Sequence, residues 1–328
     1  MNGKGAVGQL QKLLGERAKA NEPLAPYTTF KIGGPADLFF DARTVDELVS
    51  AVRSSRELDV SVFLLGGGTN LLIGDKGIRG LVIKNSTSSI RVRGMKGQSH
   101  AGGQTRQVYV EADSGVSINQ LVRFAVEEGL KGLEMHLGLP GTVGGAVYMN
   151  SKWTRPEGYV GDAVYQAEIL TPPGEKKTVP GKYFTFAYDT SSIQKTRDIV
   201  LSVVFALDMG DKDALWSIAN ESIGYRRESQ PQGVKSAGCT FRNIPQAEVL
   251  TRSLPGEASS AGFLVDHAGL KGLQIGGAQI SPQHANFIVN LGGARASDVI
   301  ELVSRAKEQV KRQFGVNLEE EIVLAGEF

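Results

Sequence analysis

A single cysteine, Cys239, stands in the 328 residues. That excludes an internal disulfide framework and a paired-cysteine metal knuckle, and it fits a reducing compartment. No run approaches the ~18 consecutive apolar residues of a membrane span. The amino-terminal stretch MNGKGAVGQLQKLLGERAKA has no hydrophobic signal core. Surplus charge is lacking as well. Lys+Arg 36 against Asp+Glu 35 leaves +1, which argues against a nucleic-acid coat or an acidic tail and leaves room for a local basic pocket. A cytoplasmic protein with no nucleic-acid and no membrane partner is expected. The loop Gly66-Gly67-Gly68-Thr69-Asn70-Leu71 fails GxGxxG at its last position, and the signatures GxxxxGK[ST] and GxSxG are absent. So is HExxH among His100, His136, His267 and His284, and no metal site is expected. Ser192-Ile193-Gln194-Lys195 matches SxxK, a pattern short enough for chance and without a companion motif.

Glycine is what the chain has in excess. There are 41, roughly 12% against a usual ~7%. They come as doublets and triplets at strand ends (Gly33-Gly34, Gly66-Gly67-Gly68, Gly144-Gly145, Gly276-Gly277, Gly292-Gly293). At such places glycine allows positive φ or close approach of backbone to a ligand. Tight turns are the plainer explanation for any one doublet. The 41% hydrophobic content excludes wholesale disorder, and the length suits two or three domains.

Period and punctuation place the elements. The amino-terminal stretch reads as an amphipathic helix with Leu10, Leu13 and Leu14 on one side. Thr44 caps a helix to Leu58 with Glu47 in the capping-box position and Val45, Leu48, Val49 and Val52 on one face. Val60–Leu65 and Leu81–Ile83 read as strands, and 86–106 as an exposed polar excursion. Ser117 and Gln120 form a second capping box ahead of Ile118, Leu121, Val122, Ala125 and Val126. A helix near Asp213–Arg227 leads into a further domain. Ser297 caps a long helix through Phe314 that Gly315 stops, and Glu321–Leu324 is strand-like. Two glycine loops follow strand–helix units: Leu65-Gly66-Gly67-Gly68-Thr69-Asn70, and Gly138-Leu139-Pro140-Gly141-Thr142-Val143-Gly144-Gly145-Ala146. Each exposes consecutive N–H groups that suit a pyrophosphate. Two of them in adjacent lobes suggest a dinucleotide held between lobes.

Several longer blocks carry a resemblance. NEPLAPYTTFKIGGPADLFF (21–40), LLGGGTNLLIGDKG (64–77), GLEMHLGLPGTVGGAVYMN (132–150), RRESQP (226–231), SAGCTFRN (236–243), GLKGLQIGGAQISPQHANFIVN (269–290) and FGVNLEEEI (314–322) together resemble the UDP-N-acetylenolpyruvoylglucosamine reductase family. The glycine loops alone would indicate only the wider vanillyl-alcohol-oxidase-like FAD fold. The resemblance implies an α+β protein with a two-lobed FAD-binding region of the PCMH/VAO type, followed by an α/β substrate-binding domain. The expected divisions are an N-terminal helical extension at 1–20, flavin lobes at 21–85 and 86–211, a UDP-sugar domain at 212–315, and a tail at 316–328 packing near the flavin. It further implies FAD and NADPH as cofactors and a small-molecule UDP-sugar substrate in peptidoglycan synthesis. A monomer is expected.

The family's reaction collects negative charge on the α-carbon and carboxylate of an enolpyruvyl ether, so the site must stabilise that charge and deliver a proton. The family uses a serine donor, an arginine after a tyrosine, and a glutamate near the carboxyl end. By motif these map to Cys239, to the residue after Tyr188, and to Glu321. A thiol, with an unperturbed pKa of ~8.5, is a better acid than an alcohol. The flavin contacts implied are Lys31, Ile32, Gly66, Gly67, Gly68, Thr69, Asn70, Leu71, Gly138, Pro140, Gly141, Thr142, Gly144, Gly145 and Ala146. Those implied for the substrate are Arg227, Asn243, Lys271 and His284, with helix phase deciding between Arg226 and Arg227. Two departures stand out. The arginine position is Asp189, and Asn150-Ser151-Lys152-Trp153 replaces a stretch of small residues. A carboxylate there repels developing negative charge. Lys152, or alternatively Arg155 or Arg197, is expected to supply the missing cation. Two other readings fit the same residues: a flavin oxidase of this fold acting on another substrate, and a catalytically silent flavin- or nucleotide-binding paralogue.

Overall fold

The structure, a computed structural model, describes residues 3–100, 103–155 and 157–328. The chain forms two units. One comprises Met1–Ala18, Phe40–Gly67 and Ile83–Glu228, and the other Lys19–Phe39, Gly68–Val82 and Ser229–Phe328. No helix among the described residues is long and apolar enough to cross a membrane.

In the first unit a six-stranded sheet runs Lys176–Pro180, Val164–Leu170, Ile199–Met209, Gly103–Asp113, Ile90–His100, with the short Leu130–Lys131 also on Ile199–Met209. Its central strand, IVLSVVFALDM, is apolar on both faces because both are covered. Val203 pairs with Ala112 and Phe205 with Val110. The helix Ile118–Glu127 adds Leu121, Val122, Ala125 and Val126 to the same core, and Val143–Met149 adds Val143 and Val147. Ser117 accepts from Gln120 N at 3.2 Å while Gln120 Oε1 accepts from Ser117 N at 3.2 Å, completing the capping box read from sequence. At the helix Val45–Glu57, Thr44 caps as expected, but the Glu47 carboxylate accepts from Arg43 N and from Arg17.

The excursion expected at 86–106 is instead largely an antiparallel hairpin, Ile90–His100 with Gly103–Asp113; its tip, 101–102, lies outside the described residues. A register shift between Val92 and Gly94 breaks the two-residue alternation that would have marked the strand. Arg91 and Arg93 reach across to Glu111 at 2.5 and 2.8 Å. In the amino-terminal helix Gly3–Leu14, Ala6 and Leu10 are buried, Leu14 is half-buried and Leu13 is 62% exposed. The apolar stripe is thus narrower than three leucines suggested.

In the second unit, Gln274–Ile275, Ala278–Ile280 and Ile288–Asn290 make an antiparallel sheet. The helix Ala296–Phe314 packs Val299, Leu302, Val303, Ala306 and Val310 into a core with Phe30, Ile32, Leu72 and Phe241. Gly315, at φ +69°, ends that helix as expected. Its start differs from the sequence reading. Arg295 occupies the cap position, the Asp298 carboxylate accepts from Arg295 N at 3.0 Å, and Asp75 accepts from Ala296 N at 2.8 Å and Ser297 N at 3.1 Å. The tail forms strand Val323–Ala325, shorter and later than expected, and pairs in parallel with Leu71–Ile73.

Partial burial pushes the Asp75 carboxyl up, but the two helix N–H groups outweigh it and leave it below the ordinary carboxylate range. Its stabilisation is therefore present above the unfolded pKa of ~3.9 and lost as pH falls through the depressed folded value. Asp75→Ala removes both caps and is expected to lower unfolding stability by about 1–2 kcal/mol at pH 7. Denaturant unfolding of the two proteins at pH 7 and pH 3 checks this; the difference should shrink in acid.

Candidate functional site

In the first unit the two glycine loops meet. A Cβ on Gly66 would lie 2.7 Å from Thr142 Oγ1, so only glycine lets this backbone pass the second loop. Thr142 caps the short helix that follows, accepting from Gly145 N at 3.4 Å. Gly144 is equally confined, its Cβ position 3.0 Å from Ser114 Cβ. Behind the loops stand polar anchors. Lys84 Nζ donates to Gly66 O at 2.5 Å, and Asn119 Oδ1 accepts from Gly138 N at 2.6 Å. A trans peptide points its C=O and N–H in opposite directions, so the carbonyl held by Lys84 turns the Gly67 N–H away from the anchor. Pro140 and Gly141 complete the second turn, Gly141 at φ +111°. Ala146 is buried beneath it.

The same unit orders the segment around Tyr188. Asn150, left-handed at φ +47°, donates to Ala187 O at 3.0 Å and accepts from Gly161 N at 3.2 Å. Ala187 and Thr190 close a tight turn with paired backbone bonds. That turn holds Asp189 buried at φ +51° and leaves Tyr188 37% exposed. Lys152 Nζ lies 5.2 Å from the Tyr188 ring centre, 5.6 Å from that of Tyr159, and 3.5 Å from Glu157. Of the three cations considered for this role, Lys152 is thus brought to Tyr188, whereas Arg155 stacks over Tyr225 at 4.8 Å. Helix phase in Lys212–Ser229 turns Arg226 inward, over the Trp153 ring at 4.5 Å and against Gly138, while Arg227 is exposed. Ser192, of the SxxK match, donates its hydroxyl to Tyr183 O at 2.9 Å.

In the second unit, Thr29 N donates to Gly68 O at 3.0 Å and Thr29 Oγ1 to Ser236 O at 2.7 Å. Gly68, at φ +64°, lies so close to Tyr27 O that a Cβ would sit 2.3 Å from it. By the same trans-peptide geometry the Thr69 N–H points away from Thr29. Asn290 Nδ2 donates to Phe30 O at 3.0 Å, fixing the Thr28–Ile32 segment. Lys31 is exposed at φ +56°, its ammonium on Pro26 O at 2.8 Å, and Ile32 is buried in the core.

Cys239 is half-buried on an extended strip that bridges Phe287. Asn286 grips this strip by both backbone groups of Phe241, donating to its O and accepting from its N, each at 2.8 Å. On the strip's other side Glu321 N donates to Thr240 O at 2.8 Å. Asn70 Nδ2 donates to Glu321 O at 3.0 Å, and Val323 N donates to Asn70 O at 2.9 Å. Cys239, Glu321, Asn70 and Leu71 therefore share one hydrogen-bonded platform. Glu320 points elsewhere, to Lys307 at 3.0 Å. His284 accepts from Asn286 N at 3.2 Å. Burial, outweighing its own backbone bond and joined by the Lys271 charge, lowers its pKa. Lys271 pairs with Asp266 at 2.5 Å, and Asn243 Oδ1 accepts from Ala261 N at 3.2 Å. The sequence reading did not single out Lys84, Asn119, Asn286 or Asn290; Asn286 and Asn290 sit inside a block already noticed, HANFIVN.

Comparison with known proteins agrees with this geometry. Residues 36–179 match the FAD binding domain model, and residues 230–325 match the model for the UDP-N-acetylenolpyruvoylglucosamine reductase C-terminal domain. The UDP-N-acetylenolpyruvoylglucosamine reductase of Halalkalibacterium halodurans is 36% identical over 321 residues, covering 98% of each chain. That of Bacillus subtilis is 37% identical over 308 residues, 94% of this chain and 93% of its own. The chain belongs to this reductase family. A solved structure of the Thermus caldophilus enzyme superposes with TM-score 0.73 at 33% identity, covering 94% of this chain and 98% of that one. Substrate-bound p-cresol methylhydroxylase, at 11% identity and TM-score 0.51, covers 95% of this chain and 88% of its own and shares the fold alone. The protein is accordingly an FAD-dependent oxidoreductase of α+β, PCMH/VAO-type architecture, in a family that uses FAD and NADPH. The side-chain-free loop at Gly66 and the N–H direction set by Lys84 fit a dinucleotide's diphosphate.

One buried titratable group lies just ahead of the second glycine loop. His136 is fully buried, and neither ring nitrogen makes a hydrogen bond of ordinary geometry. Burial, with the Arg226 charge nearby, holds it down at about 4 against a weak upward pull from the Tyr159 backbone. The unfolded chain, near 6.5, binds the proton first on acidification, so stability falls as pH drops from about 6.5 to about 4. Replacing His136 with Leu should remove about one proton from this linkage and flatten that limb by up to ~3 kcal/mol. Urea unfolding at half-unit pH steps measures the slope; an unchanged slope would contradict the assignment.

Proposed function

We propose that the chain reduces UDP-N-acetylglucosamine enolpyruvate to UDP-N-acetylmuramate with NADPH, using Cys239 as the proton donor. The chemistry FAD supplies is the relay of a hydride from NADPH to the β-carbon of the enolpyruvyl ether. The two amino-terminal lobes hold that cofactor and the third, from about 212, takes the UDP-sugar; the chain acts as a monomer. Hydride arrival at the β-carbon drives the alkene electrons onto the α-carbon and carboxylate. Cys239 Sγ–H then gives its proton to the α-carbon, and the thiolate is reprotonated from water. Glu321 orients or polarises the substrate carboxylate. Lys271 and His284 meet the diphosphate, with Asn243 beside them. The observation that carries this reading is the shared platform of Cys239 and Glu321, built from the Thr240–Glu321 and Asn286–Phe241 bonds. A thiol that must protonate one face of a carbon needs a rigid backbone more than it needs a base.

The test pairs a turnover assay with rapid-mixing spectroscopy of the flavin. In Cys239→Ala, product formation should fall by roughly 10²–10⁴-fold, the usual contribution of a positioned proton donor. The rate of flavin reduction by NADPH should be unchanged, and Cys239→Ser should retain substantial turnover. Wild-type product formation in the alanine variant would remove Cys239 from the mechanism. Rapid reoxidation by oxygen with no need for NADPH would favour a flavin oxidase instead.

The cation at the Tyr188–Asp189 turn is assigned to Lys152. Support comes from its ammonium, 5.2 Å from the Tyr188 ring centre. An anionic enolate beside a buried aspartate needs a compensating charge at short range. Lys152→Ala should cut kcat at least tenfold with flavin reduction intact, whereas Lys152→Arg should keep most of it. Near-normal turnover in the alanine variant would leave Arg155 or Arg197 as the source.

A further inference from the structure

Lys84, next to last in the strand Ile78–Asn85, is half-buried. Burial lowers its pKa despite the opposing pull of Asp41. Asp41 is the charged group bearing on it, and that carboxylate is already engaged by Ser86 Oγ at 2.6 Å and Arg43 Nε at 3.5 Å. The ammonium donates to a neutral acceptor, Gly66 O at 2.5 Å. Holding a loop carbonyl needs no charge; an amide or hydroxyl would do it without the desolvation cost of an ammonium. The charge has a use if it acts through the peptide. A cation on the carbonyl end of the Gly66–Gly67 peptide draws electron density toward that oxygen and makes the N–H at the other end a stronger donor. By planarity that N–H, of Gly67, points away from Lys84.

From this we propose that Lys84 is a positioning residue for the cofactor: its ammonium fixes and polarises the Gly66–Gly67 peptide, so that the Gly67 N–H becomes a charge-strengthened donor to the FAD diphosphate. The inference rests on the reading that this loop receives that diphosphate. A dianion bound at the loop favours the charged form of Lys84. Binding of FAD then takes up a proton wherever the free protein has begun to lose it, and affinity falls as pH rises through that range.

The experiment is fluorescence titration of the flavin-freed full-length chain with FAD, from pH 7 to pH 10. Lys84→Met should weaken binding by roughly tenfold or more at pH 7, the scale of a charge-assisted over a neutral hydrogen bond. Lys84→Arg, which keeps a charge that does not titrate in this range, should restore most of the affinity and lack the alkaline decline seen in wild type. Failure of the wild-type chain to bind FAD would sink the cofactor reading itself. Wild-type binding with Lys84→Met within twofold of it would overturn this inference alone, as would a folded Lys84→Arg as weak as Lys84→Met. Should the methionine variant not fold, the pH profiles of wild type and Lys84→Arg decide the matter, and identical alkaline declines overturn it.

Discussion

The flavin half of this protein depends on one close approach, Gly66 against Thr142, where a single added carbon would sit 2.7 Å from a hydroxyl oxygen. A loop that must offer backbone N–H groups to a phosphate cannot also carry side chains in front of them. The anchors therefore stand behind. Lys84 takes one carbonyl and Asn119 one amide, while Thr142 caps the turn of helix that follows. Thr142 also bridges Ser117, whose capping box starts the neighbouring helix. On the proposed reading the recognition surface is backbone, its geometry set by polar side chains behind it.

The second unit solves a different problem with the amide side chain. Asparagine carries both donor and acceptor, so one residue can hold a strand by N–H and C=O together. Asn286 does this to Phe241, and Asn290 ties the Phe30 carbonyl to the turn at Gly292. Asn70 links Glu321 to the strand that pairs with the tail. The tail docks by burying Val316, Leu318, Ile322 and Ala325. Directional bonds fix its register where burial alone would let it slide. That register sets Glu320 opposite Phe241 with its side chain on Lys307, and places Glu321 N on Thr240 O.

Local rules were legible in the residues themselves. The Ser117–Gln120 box, the helix ended by Gly315 and both glycine loops could be read because each is written within a few positions. The C-terminal blocks could be read because their order matches a family. Long-range partners could not. Asp75 caps a helix whose start lies 221 residues away, and nothing near Ser297 announces it. The hairpin at Ile90–Asp113 was hidden by glycines and by a register shift that spoils its alternation. Arg226 and Arg227 differ only in helix phase, which packing against Gly138 decides. Nothing around Lys84 in the sequence marks its acceptor, a loop carbonyl 18 residues earlier.

The departure at Asp189 bears on what kind of cation can replace an arginine. A guanidinium fork grips a carboxylate at two points and fixes its plane, whereas an ammonium is a point charge on a flexible stem. Lys152 lies on a short hairpin, between the rings of Tyr159 and Tyr188, with Glu157 sharing its charge. The aromatic faces restrict the stem and supply some of the rigidity that a fork has by itself. They do not supply a second donor. In the second unit, the strip carrying Cys239 is held by backbone and amide bonds to Glu321 and Asn286. An aspartate at the arginine position is tolerable on these terms because its turn is closed by Ala187 and Thr190 and gripped by Asn150, which keeps a buried carboxylate in one place. A fixed negative charge can be compensated once by a nearby cation; a mobile one could not.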